Sequence, residues 1–345
     1  MNIKSLLLGS AAALAVVSGA QAADAIVAAE PEPMEYVRVC DAFGTGYFYI
    51  PGTETCLKIG GEIRATLGFD ESDDEDFDTA VRARLAFEAK NDSEIGTIGS
   101  YIRIQADSQG ADSDNQTVEL EQAYITVGGF KVGRALTWAD DWGLAGESDA
   151  FFGNARFNTI SYTYTSDAFT VGLGVDDLSD IDILDNTDAV IGSYDNEVGI
   201  EGVVSTSFGV ATVTVNGVYD FGSEEGAIAG VMTADLGPGT LGIAGAWASG
   251  YSYGYDFESE WTIGAAYTFK ATEKLSITPQ VVYFGNVAAA GATGTDFTSV
   301  DAWAADLLVE YALAAGLTAS ADVRYVDLDG GDSNWDGFVR LTRSF

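Results

Sequence analysis

Apolar and polar residues alternate one for one along most of this chain. Between residues 57 and 69, Leu57, Ile59, Ile63, Leu67 and Phe69 share one parity, and Lys58, Glu62, Arg64 and Thr66 share the other. A period of two belongs to a β-strand, whose successive side chains leave opposite faces. The pattern recurs as Val81, Ala83, Leu85, Phe87 and Ala89 against Arg82, Arg84, Glu88 and Lys90, and as Ile102, Ile104 and Ala106 against Arg103, Gln105 and Asp107. It is clean again at Trp261, Ile263, Ala265, Tyr267 and Phe269, and at Leu317, Ala319, Ala321, Val323 and Tyr325.

Read through to Phe345, the alternation predicts sixteen strands over 57–345, joined by connections that are long and short in turn. The long ones fall at 70–78, 108–117, 136–156, 177–195, 250–257, 286–299 and 327–337, and the short ones at places such as Gly128-Gly129 and Gly237-Pro238-Gly239. Alternating segments of about ten residues are what a tilted membrane-spanning strand needs. The expected fold is all-β, a 16-stranded antiparallel transmembrane β-barrel. A soluble sandwich would need a dry inner face, whereas the polar parity here carries Arg, Lys, Asp and Glu and suits a wet lumen. A terminal aromatic such as Phe345 fits a last strand that closes against the first.

The first 22 residues stand apart. Lys4, an apolar run from Leu6 to Val17, and Ala20-Gln21-Ala22 have the layout of a cleaved signal peptide. Residues 23–56 form a lead into the barrel. No later run is apolar enough for a spanning helix, since 302–315 is broken by Asp306 and Glu310. Cys40 and Cys56 are the only cysteines, and in a secreted chain they are expected to pair.

Charge narrows the functions. Fifty-three acidic against 16 basic residues leave a net charge of −37, which disfavours nucleic acid as a partner and favours cationic solutes. With no histidine, His-based triads, His-ligated zinc and imidazole acid–base catalysis are unavailable, and no serine-centred motif stands out, so an enzyme is not expected.

The stretch from Glu35 to Gly61, EYVRVCDAFGTGYFYIPGTETCLKIGG, closely resembles the N-terminal signature of alphaproteobacterial, rhizobial-type general porins. Leu120–Tyr124 (LEQAY), Gly128–Arg134 (GGFKVGR) and the ending Arg340–Phe345 (RLTRSF) resemble the same family. The resemblance implies a homotrimer of barrels in outer-membrane lipid, each with a pore narrowed by an inward-folded third external loop. It also implies passive diffusion of small hydrophilic solutes; a solute-specific channel is the alternative. Arg343 departs from the usual apolar residue two places before a terminal Phe, which leaves it to sit at the interface, to enter a subunit contact or to snorkel.

Within that frame, the loop 136–156 is the expected constriction loop, with Asp140, Asp141, Glu147 and Asp149 as its acidic side and Trp138, Trp142, Phe151 and Phe152 to pack it. By parity, Arg64, Arg82, Arg84, Arg103, Arg324 and Arg340 point into the lumen, and barrel closure gathers them on one wall. An acidic loop facing a basic wall would set up a transverse field. The alternative is that these arginines pair with Glu62, Glu88 and Asp322 to satisfy a polar interior. Arg134 and Arg156 flank the loop with ambiguous parity. No cofactor is expected. The acidic stretches 70–78 and 327–332, with Asp327, Asp329 and Asp332, read as solvated loops; Ca²⁺ or Mg²⁺ on their oxygens, or bridging to lipopolysaccharide phosphate, is the sharper alternative. Tyr251, Tyr253, Tyr255 and Trp261 are expected in the upper aromatic girdle.

Overall fold

The computed structural model describes residues 37–71, 77–110, 116–138, 140, 143–148, 151–184, 189–288, 295–331 and 333–345. The expected signal peptide lies outside the described residues, as do Asp141, Trp142, Asp149 and Asp332.

Sixteen strands form the barrel: β1 (Cys56–Asp70), β2 (Asp78–Asn91), β3 (Ile98–Gln109), β4 (Gln116–Val127), β5 (Phe130–Leu136), β6 (Arg156–Thr165), β7 (Phe169–Asp177), β8 (Val198–Phe208), β9 (Ala211–Asp220), β10 (Glu225–Leu236), β11 (Gly239–Ala248), β12 (Ser259–Lys270), β13 (Leu275–Val287), β14 (Ala302–Ala314), β15 (Leu317–Leu328) and β16 (Ser333–Ser344). Each is antiparallel to its sequence neighbour, and β16 pairs back onto β1, so the sheet is closed. Closure removes the unpaired edge that lipid could not satisfy. Phe345 completes it: its N–H donates to the Gly61 carbonyl at 3.0 Å, and its own carbonyl accepts from the Gly61 N–H at 3.1 Å. The expected strand parity holds in β1 from Ile59 to Phe69, where Ile59, Ile63, Leu67 and Phe69 are exposed, while Lys58 at its start is exposed as well.

The exposed side of the barrel is a continuous apolar surface that includes Val81, Leu85, Ile102, Ile160, Leu173, Ile200, Ile263, Leu307 and Val339. A surface of that extent is a lipid-facing band rather than the exterior of a water-soluble protein. Aromatic rings mark the long-loop rim of β11–β16. Trp247 is opposite Trp261 in the ladder, and ring centroids are 5.2 Å apart for Trp261–Tyr283, 5.2 Å for Trp303–Tyr325 and 4.9 Å for Tyr325–Trp335. The short-turn end has its own pair, Phe130–Tyr162, at 4.8 Å. Rings that are apolar across the face and polar at the tip suit the membrane interface. Arg343, at the short-turn rim, donates to the Ala315 carbonyl at 2.9 Å, an interfacial position.

Ahead of the barrel, Cys40 and Cys56 form the expected disulfide, with Cα atoms 6.0 Å apart and both residues buried. Since Cys56 is the first residue of β1, the bridge ties the preceding segment to the wall. A two-residue strand, Phe48–Tyr49, adds to β1 beside it. The long connection between β7 and β8 contains a small hairpin, Asp182–Leu184 with Val190–Ser193, that the alternation alone did not reveal.

Two irregularities re-aim side chains. In β4, Arg103 is opposite Gln122 and Ile104 is opposite Leu120, which leaves Glu121 as an extra residue in a β-bulge. Glu121 and Gln122 are consequently both buried. The second irregularity corrects an expectation. Tyr255 has no exposed surface and Tyr251 and Tyr253 are half-buried, so these three are not girdle residues. The connection 249–258 turns into the barrel because its hydroxyls find buried carboxylates there. Trp261 alone of that set stays on the outward rim.

Candidate functional site

The lumen has two unlike walls. On β1–β4, β15 and β16, long charged side chains project inward and pair with one another. Arg64 meets Glu62 at 2.9 Å, Arg82 meets Asp107 at 2.7 Å and Arg324 meets Asp336 at 3.0 Å. Glu121, fully buried, is the hub of this wall. Arg84 reaches it at 3.0 Å and Arg156 at 3.5 Å, and Arg103 forms a close ion pair with it. Arg84 also contacts Glu62 at 3.4 Å and donates to Gln105 at 2.7 Å. Charge-assisted contacts of this density fix the guanidinium planes and their spacing.

On β7–β13 many inward positions are small. Ala227, Ala229, Ala244, Ala246, Ala248 and Ala266 are buried there, and Gly172, Gly242 and Gly264 lie on the same face. The connection 137–155 is seated on this wall. Trp138 lies on Gly172, and Leu144 fills the hollow left by Gly242 and Gly264 against Val282. The Trp138 N–H donates to Glu201 at 2.9 Å, and its carbonyl accepts from Asn216 at 3.0 Å. Farther along, the Glu147 N–H donates to Asp306 at 3.3 Å and the Gln280 amide donates to the Ser148 carbonyl at 2.6 Å. Gly146 makes the closest approach: a Cβ there would overlap the Gln280 and Asp306 side chains. Beyond Asp306 on β14, the loop's tip meets the adjoining edge of the charged wall, with Arg340 on β16 at 3.4 Å from Glu147.

The neighbouring long loops pack onto the same filling. Phe151, Phe157, Leu178, Tyr194, Tyr255 and Phe257 belong to one buried cluster. Asp220, fully buried, accepts from the Tyr194 hydroxyl at 2.9 Å, the Ser252 hydroxyl at 2.6 Å and the backbone of Gly222 at 2.8 Å and Gly254 at 3.1 Å. One carboxylate thus ties together three connections. Burial pushes the Tyr251 phenol up, aided by the hydroxyl's bond to Asp256. Burial, with Asp256 beside it, also pushes the Glu258 carboxyl up to about 6.

Of the residues singled out from sequence, Arg64, Arg82, Arg84, Arg103, Arg324 and Arg340 all lie on the inward face and carry carboxylate partners. Closure places Arg340 opposite Thr66, with Arg64 opposite Thr342, so the two arginines are diagonal neighbours rather than directly paired. Arg156 joins the wall, while Arg134 shares the parity of the exposed Phe130 and Val132. Of the acidic set, Glu147 touches the wall and Asp140 is exposed. The expected partners are partly different ones: Glu62 pairs as anticipated, but Glu88 pairs with Lys90, and Arg324 turns to Asp336 rather than Asp322. Glu121 was missed. Its signal was present, because the apolar parity switches from Val118 and Leu120 to Ala123 and Ile125 across it. Asp327 accepts from the Trp303 indole at 3.1 Å, and among the described residues no group of three or more acidic, histidine or cysteine side chains is disposed to hold a metal.

The model of a porin subfamily matches residues 24–341. A putative outer membrane protein of Sinorhizobium fredii is 42% identical, covering 100% of this chain and 99% of its own length. Outer membrane protein IIIA of Rhizobium leguminosarum bv. viciae is 40% identical over 98% of this chain and 93% of its own, and porin Omp2a of Brucella suis is 34% identical over 100% of both. Among solved structures, an anion-selective porin from Comamonas acidovorans superposes with a TM-score of 0.60 at 13% identity, covering 85% of this chain and 100% of that one. The trimer form of OmpT from Vibrio cholerae gives 0.59 at 18% identity, with 85% and 100% coverage. At those identities the structural likeness speaks for the fold.

Proposed function

The chain belongs to this porin subfamily and is an outer-membrane channel, not an enzyme; from that premise we propose that it passes small hydrophilic solutes and ions passively, with cations preferred. The observation that carries the reading is the contact between Glu147 and Arg340, where a loop seated on the small-residue wall reaches the edge of the charged wall. The narrowest section then lies between Asp140 and Glu147 on the loop and Arg64, Arg82, Arg84, Arg103, Arg324 and Arg340 on the wall; Asp141 and Asp149, expected on the same acidic side, lie outside the described residues. Fixed opposite charges across a narrow aqueous gap orient dipolar solutes and penalise apolar ones, because ordered water there is costly to displace.

Cation preference follows from pairing. The arginines of the wall are engaged with carboxylates, so their field is mostly local. The uncompensated charge is the acidic excess, −37 over the chain. Reversal potentials across a potassium chloride gradient test this; a potential of the anion-selective sign overturns it. Liposome swelling with sugars of graded size should give a smooth cutoff, whereas a sharp preference would identify a solute-specific channel. A homotrimer is part of the same proposal, supported by the solved trimer form of a porin that shares the fold. Single-channel records should then open in triplet steps.

A further inference from the structure

The small-residue wall carries two buried carboxylates, Asp176 on β7 and Glu201 on β8, with 0% and 3% of their surface exposed. Each serves an inward-folded connection. Asp176 accepts from the Tyr255 hydroxyl at 2.8 Å, within the connection 249–258, and Glu201 accepts from the Trp138 N–H at 2.9 Å, where the seated loop begins. Buried carboxylates are costly without a counter-charge. From Phe157 to Gly316 the chain supplies only Lys270 and Lys274, both exposed around the short turn after β12. The counter-charge comes instead from β5. Lys131 is opposite Ser161, Ser161 is opposite Gly174 and Gly174 is opposite Glu201, so the four share one inward row. The two residues between Lys131 and Glu201 are small, and a Cβ on Gly174 would lie 2.7 Å from Glu201 Oε1. The row is therefore open along its middle, and the Lys131 ammonium lies within electrostatic reach of both Glu201 and Asp176.

The same ammonium also reaches the start of the seated loop. It donates to the carbonyl of Leu136, the last residue of β5, at 3.1 Å, and lies 5.9 Å from the Trp138 ring. Leu136 is where the chain leaves the wall, and Trp138 is the residue that settles on Gly172. We propose that Lys131 is the positioning residue of the seated loop. One half-buried cation holds the loop's entry at Leu136 and Trp138 and, through Asp176 and Tyr255, holds the 249–258 connection to the same joint. A polar network in a low-dielectric interior is worth more than its separate pairs, so loss of its one cation releases both connections together. The inference rests on the reading of this loop as the constriction only for its effect on conduction; the joint itself is independent of that reading and of the direction of ion selectivity.

The test uses the full-length folded barrel, in detergent for hydrogen exchange and in planar bilayers for conductance. Lys131→Met keeps most of the side chain's bulk and removes its charge. Amide exchange should accelerate by about tenfold or more in the peptides that carry Trp138 and Tyr255, while peptides of β1–β3 keep their wild-type rates. Single-channel conductance should rise. Adding Asp176→Asn and Glu201→Gln to that variant removes both carboxylates but leaves amide oxygens to accept from Tyr255 and Trp138. Exchange and conductance should then return close to wild-type values, a rescue that a space-filling role for Lys131 would not produce. Wild-type exchange at Trp138 and Tyr255 in Lys131→Met overturns the inference, and so does a triple variant as loose as the single one. If Lys131→Met does not fold, the triple variant is compared with wild type directly: matching exchange supports the joint, and loosened connections overturn it. Faster exchange at both connections with unchanged conductance supports the joint and removes the loop from the constriction, so the two readings fail separately.

Discussion

The two walls of the lumen are built on the same alternation but solve opposite problems. On β1–β4, β15 and β16, inward residues are long and charged, and they fill their own space by pairing. On β7–β13, many inward residues are alanine or glycine, and a loop fills the space they leave while Glu201, Asn216 and Gln280 bond its backbone. A lumen wall that is too small for its barrel is therefore a seat, and the place where a connection folds in is legible from the volume of the inward parity. The charged wall holds its own ion pairs; the small-residue wall holds a seated loop.

The hardest break in that comparison is Glu121→Ala. It strands three arginines around a buried void, and loss of one member of a buried ion cluster costs about 3 kcal/mol or more. Urea unfolding from lipid vesicles should read the loss, with selectivity shifting toward anions in planar bilayers. Gly146→Val attacks the other wall. The added side chain would overlap Gln280 and Asp306, costing about 2 kcal/mol and unseating the loop; single-channel conductance should rise while the arginine wall stays intact. Glu258 gives a pH lever on the loops alone. Its carboxyl is raised in the folded state to about 6, so the folded form favours the proton. The associated stabilisation is complete below the ordinary carboxylate value and is lost as pH rises through about 6. Protease protection of the 249–258 connection should fall over that range, and Glu258→Gln should flatten the profile. The mildest change is Arg82→Ala. The Arg82–Asp107 pair is a third exposed or so, and stability should fall by less than about 1 kcal/mol while conductance and selectivity change measurably. Unaltered selectivity would remove Arg82 from the constriction.

Much of this fold was legible because lipid and water enforce the parity rule at every step. Strand β1 was read as 57–69 and observed as Cys56–Asp70, and β5 was read as 130–135 and observed as Phe130–Leu136. The disulfide and the closing role of Phe345 were likewise readable from local chemistry. What stayed hidden depends on partners distant in sequence. Asp306 interrupts an apolar run in the sequence, and only the fold shows that it and Gln280 bond the backbone of the seated loop. Tyr255 has the composition of a rim residue, and only Asp176, 79 residues away, explains its burial. The order of arginines on the wall was legible, but their exact register was not, because the β16–β1 pairing is set at closure.

The β-bulge at Glu121 carries a consequence for insertion and deletion. Removing that one residue would leave Leu120 followed by Gln122, Ala123, Tyr124 and Ile125, an unbroken alternation that any membrane would accept. The lipid-facing code of β4 is therefore complete without it. Glu121 is a single-residue insertion into an otherwise regular strand, retained by the interior alone. A one-residue deletion at that position should yield a barrel that still assembles but has lost the anchor of its charged wall, separating the sequence requirements of membrane residence from those of conduction.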